Sequence, residues 1–312
     1  MLQNKTISFL SRLFVLLLLV SSFVACKSET NKSSNDITID EFLSDDVIFD
    51  DIDKAKKIFY SLPSPLETAL IIKSAGAKFD QEILNPIDNV QNYTTNRAMA
   101  LNLGIYTTDL SFASLFEQTQ TSIDYMGATK SMAEGLDISD AINKETMERL
   151  ENNLNNRDIV MDIISETFLN SSSYLKENER QDVAAIVLVG GWVEGLYLAS
   201  RLTVGQDVEN NKLVDRILEQ KLSFTIVQRL LEDNKTKADG TVNEDIVNLI
   251  AELQDLKEAF DNVTVETTQP SVDNSSNNGI ANIRSKTTVS VEQNDFVALQ
   301  ASIDKLRTSF VQ

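Results

Sequence analysis

The sequence predicts an all-α protein, a multi-helix bundle or irregular helical array around one buried central helix. Three observations carry that expectation. The stretch Asp182 to Thr203, DVAAIVLVGGWVEGLYLASRLT, is apolar around most of its circumference and holds the only Trp (Trp192); its apolar run, residues 183–200, carries one charge, Glu194. Elsewhere, apolar residues recur at spacings of three and four, the period of a helix lying on a core. Gly (10) and Pro (4) are scarce for 312 residues, which disfavours turn-rich sandwiches and barrels.

The central stretch reads as a core helix and not as a membrane span. Its unbroken apolar part falls short of the roughly 20 residues that a bilayer requires. Gly191, Gly195 and Ala199 repeat at i, i+4, i+8, so one face is small and a neighbouring backbone can approach it. Each Gly costs about 1 kcal/mol of helix propensity against Ala, and close packing is the expected compensation. Gly190-Gly191-Trp192 is not a G-x-G-x-x-G loop and lacks a phosphate-loop Lys, so no nucleotide site is expected.

At the N-terminus, Lys5 and Arg12 precede the apolar run Leu13–Val20. Small residues (Ser21, Ser22, Ala25) then lead to Cys26, the only cysteine. That order reads as an export signal over residues 1–25. Phe23-Val24-Ala25-Cys26 resembles the lipobox of bacterial lipoproteins: Ala25 and Cys26 match its pattern, and Phe23 stands where Leu is usual. The resemblance implies cleavage before Cys26 and acylation of Cys26 on its sulfur and new N-terminus. Lys27 stands where that family places Asp for inner-membrane retention, which points to the outer membrane. Two or more acyl chains anchor stably, at about 0.8 kcal/mol per buried CH₂. The body then needs no membrane-binding face of its own.

Residues 26–51 read as a flexible acidic tether, and 52–312 as a single helical domain. A short helix over 52–62 ends at Leu62-Pro63-Ser64-Pro65, and Pro65 opens the next, which Gly76 follows. Thr94-Thr95 caps a long helix from Asn96 to about Gln118. Further helices are expected over about 121–135, 140–152 and 156–177, then the central helix. Helices follow over 209–233, with Leu213, Ile217, Phe224, Val227 and Leu231 inward, and over 243–263, with Ile246, Ile250, Leu253, Leu256 and Phe260 inward. Residues 264–290, rich in Thr, Ser and Asn, are expected to be disordered. The alternative is a small hairpin pairing the runs VTV and TTVSV. A last helix, about 292–311, presents Phe296, Leu299, Ile303, Leu306 and Phe310 and docks back on the body.

Two polar rows cross these apolar faces. Asn102, Tyr106 and Asp109 lie at i, i+4, i+7; Glu194, Tyr197 and Arg201 lie at i, i+3, i+7. A buried charge is costly unless paired. The rows are therefore expected to face each other, with Asp109 or Glu194 near Arg97 or Arg201. Such rows form either a structural hydrogen-bond seam or, with Trp192, the polar floor of a ligand pocket between helices 96–118 and 182–203.

Composition removes several chemistries. The chain has no His, which excludes Ser-His-Asp and Cys-His catalysis and the H-E-x-x-H zinc site. One Cys excludes internal disulfides and cysteine-rich metal clusters. The charge of −19 opposes nucleic-acid binding, which relies on Lys and Arg at phosphates. No cofactor or metal is expected. The leading expectation is a membrane-anchored lipoprotein of the bacterial cell envelope with a non-enzymatic body acting through a protein partner or in envelope structure. A small-molecule-binding lipoprotein is second. An enzyme using Asp109 or Glu194 as general acid or base is third.

Overall fold

The computed structural model describes residues 65–74, 76–139, 144–153, 156–237, 239–267, 271–273, 282–284 and 287–312. They belong to one unit that runs from Asp51 to Gln312. The leader, Cys26, the tether, the helix expected at 52–62 and most of 268–286 lie outside the described residues.

The architecture is all-α, as expected. Ten helices are described: α1 (Pro65–Ser74), α2 (Asn96–Leu115), α3 (Thr119–Gly135), α4 (Lys144–Asn153), α5 (Arg157–Glu177), α6 (Gln181–Arg201), α7 (Lys212–Asp233), α8 (Glu244–Glu252), α9 (Gln254–Asp261) and α10 (Gln293–Val311). Two short 3₁₀ segments, Gln81–Ile83 and Ile87–Asn92, link α1 to α2.

Polar side chains cap the starts of α2, α5, α7 and α8. The Thr95 hydroxyl accepts from Ala98 N, Asn156 from Ile159 N, Asn211 from Leu213 N and Val214 N, and Asn243 from Ile246 N, each satisfying donors that a helix start leaves open. Three helix ends share one device. Glu117, Asp137 and Glu179 take positive φ (59°, 56° and 58°), and the next residue's N–H returns five residues back: Gln118 to Ala113, Ile138 to Ala133, Arg180 to Leu175. This is the Schellman closure, normally made with Gly. The closure at Glu117 ends the expected helix 96–118 at Leu115, and α3 begins at Thr119 instead of Thr121. The helix expected over 243–263 is divided at Leu253 into α8 and α9.

The central helix is α6, with residues 184–196 all buried. Among the described residues it is the helix long and apolar enough to cross a bilayer, yet 89% of its apolar window is covered by neighbouring helices. It packs on α1, α2, α5, α7 and α10. A second helix is equally central: residues 100–115 of α2 are all buried. The α2–α6 pair is the most extensive contact in the fold. Its basis is glycine on both sides. A Cβ at Gly104 would overlap the Val187 carbonyl oxygen, and one at Gly190 would overlap the Leu101 carbonyl oxygen. The close approach thus uses Gly190 and Gly191 on α6 and, on α2, Gly104, which the sequence reading passed over.

The segment expected to be disordered is paired at its ends. β1 (Thr264–Thr267) runs antiparallel to β4 (Thr287–Ser290) with Val265 opposite Val289, and β2 (Ser271–Asp273) pairs with β3 (Asn282–Arg284). The hairpin alternative therefore describes these runs. Val265, Val289 and Val291 pack on the helical core, which supplies the burial that β-prone runs lack alone.

Candidate functional site

Successive residues of a helix point about 100° apart, and α2 uses this to face three surroundings. Leu101, Gly104 and Thr108 meet α6, where Thr108 Oγ1 donates to Gly191 O at 3.2 Å. Asn102, Tyr106 and Asp109 face a polar seam. Leu103, Thr107 and Leu110 line an apolar crevice on another side.

The seam brings the two predicted rows together, but through an unexpected arginine. Arg307 of α10 grips Glu194 with both ends of its fork, Nε to Oε2 at 2.9 Å and Nη2 to Oε1 at 3.1 Å. Glu194 is fully buried and Arg307 is 7% exposed. Such a bidentate, charge-assisted pair fixes direction as well as distance. Arg97 instead pairs with Glu252 near the surface at 2.6 Å, and Arg201 lies 4.0 Å from Asp304. The sequence carried the signal for Arg307. It lies four residues after Ile303 and three before Phe310, on the apolar stripe of α10.

Asp109 sits beside Glu194, equally buried. Burial first, and then the negative charge of Glu194, hold its carboxyl well above the ordinary carboxylate range. Its Oδ2 accepts from Asn85 N at 3.1 Å, whereas Oδ1 has no conventional hydrogen-bond partner. Burial and the neighbouring Glu194 both favour the protonated form of Asp109. The centre thus joins one guanidinium and two buried carboxyl groups.

Amides and phenols extend this seam. Asn85 Nδ2 donates to Asn102 Oδ1 (3.0 Å) and Tyr93 Oη (3.1 Å). Asn102 Nδ2 donates to Phe310 O (2.9 Å), and Tyr93 Oη to Val311 O (3.2 Å). Tyr106 Oη donates to Pro86 O (3.0 Å) and Tyr125 Oη to Asn85 O (2.9 Å). Burial raises the pKa of all three tyrosines, so they stay protonated donors. The sequence reading missed Asn85, Tyr93 and Tyr125. They come from the 3₁₀ linker and α3, and nothing in their local pattern marks them.

Of the other predicted residues, Tyr197 joins the seam, whereas Trp192 and Arg201 lie elsewhere. Tyr197 lies under the Arg307 guanidinium, 4.4 Å from ring centroid to Cζ. Trp192 is buried on the α7 side, stacked on Phe224 at 5.7 Å, with Nε1 donating to Gln220 at 3.1 Å. Arg201 is exposed. The ligand pocket expected between helices 96–118 and 182–203 is absent there, because the two backbones are in contact. Asn85, Asn102, Tyr106, Asp109 and Glu194 are each 0% exposed, so the carboxyl pair is enclosed by the surrounding helices. Among the described residues, no three Asp, Glu or Cys gather as a metal site.

Among the described residues, a crevice lies on the third side of α2. It lies between α2, α3, α4 and α5, with Val187 of α6 also lining it, and has a cavity volume of about 40 Å³. Leu103, Leu110, Met126, Leu150, Ile163, Ile164 and Phe168 make its wall, and Lys130 stands beside it.

Fold and seam together define an all-α protein with a sealed polar centre and an apolar crevice. Comparison with family models, curated proteins and solved structures gives no match to this chain.

Proposed function

We propose that this chain is a lipid-anchored protein of the bacterial cell envelope, held at the outer membrane through acylated Cys26, whose helical body recognises a partner and performs no catalysis. The carrying observation is the position of the chain's single cysteine, directly after an apolar run and small residues. The sealed seam supports the non-catalytic half. Asp109 and Glu194, the candidate acid and base, are enclosed, and their groups are engaged with Arg307 and Asn85. General acid–base catalysis needs the group within hydrogen-bond reach of a substrate. The surplus of acid keeps the body away from nucleic acid and anionic lipid headgroups.

The test compares the parent with Cys26→Ser. Incorporation of an alkyne-bearing palmitate analogue and detergent-phase partitioning are expected for the parent and lost in the variant. A Cys26→Ser chain that fractionates with membranes as the parent does, or a mature product with a free thiol by mass spectrometry, refutes the anchor.

A further inference from the structure

We draw no further inference here: the strongest candidate, the buried side-chain cluster of Asp109, Glu194 and Arg307 where α2, α6 and α10 meet, belongs to the polar seam already described and is enclosed by those helices.

Discussion

Replacing Gly104 by Ala puts a Cβ into the Val187 carbonyl oxygen and within 2.5 Å of Gly191 N. Both obstacles are backbone atoms, so no side chain can swing aside. α2 and α6 must separate along their whole contact. The substitution gains about 1 kcal/mol of helix propensity. Overpacking costs about 1–3 kcal/mol, more where the obstacle is rigid, so a net loss of about 2 kcal/mol is expected. For a unit of this size that lowers Tm by about 4–8 °C. Gly127 supplies the control. It lies on the exposed face of α3, and a Cβ there meets nothing within 4 Å. Gly127→Ala should therefore gain about 1 kcal/mol and raise Tm by about 2–4 °C. Gly104→Ala and Gly190→Ala act on one interface, so their double variant should lose less than the sum. Circular dichroism at 222 nm, with urea midpoints beside the melts, measures all of these. A Gly104→Ala protein that melts at or above the parent would refute backbone contact between the two central helices.

Three further outcomes follow from the seam and the helix ends. Arg307→Met leaves Glu194 buried without its cation and should cost about 3–5 kcal/mol, whereas Glu194→Leu with Arg307→Met should recover most of that loss; urea titration of the double-mutant cycle decides it. Asp109 holds its proton more tightly folded than unfolded, so folding takes up a proton above the ordinary carboxyl value of 3.8. Stability should then fall as pH rises through the window up to its raised folded value, by at most about 1.4 kcal/mol per pH unit. Asp109→Asn should remove that dependence, seen as a stability difference from the parent that grows in the variant's favour from pH 4 to 8. Glu117→Gly and Glu179→Gly relieve left-handed backbone and should each gain about 1 kcal/mol, read as a higher Tm without loss of helix.

The sequence by itself determined the helical class, the buried stretch at 182–203 and the polar rows, because burial writes its period into the chain one residue at a time. Asn102, Tyr106, Asp109 and Glu194 could be singled out because polar groups on apolar faces are rare and must be answered. Which group answers them was decided only in three dimensions. Arg307 stands 113 residues from Glu194, and Asn85 reaches Asp109 through a backbone N–H that any residue would carry. The same distance in sequence hid Gly104 as the counterpart of Gly190 and Gly191, and hid the core that supports Val265 and Val289. It also hid the fact that the polar rows are enclosed, since exposure belongs to the assembled helices. Local pattern fixes which face of a helix turns inward; the partner waiting there is set by packing between elements that no local window contains.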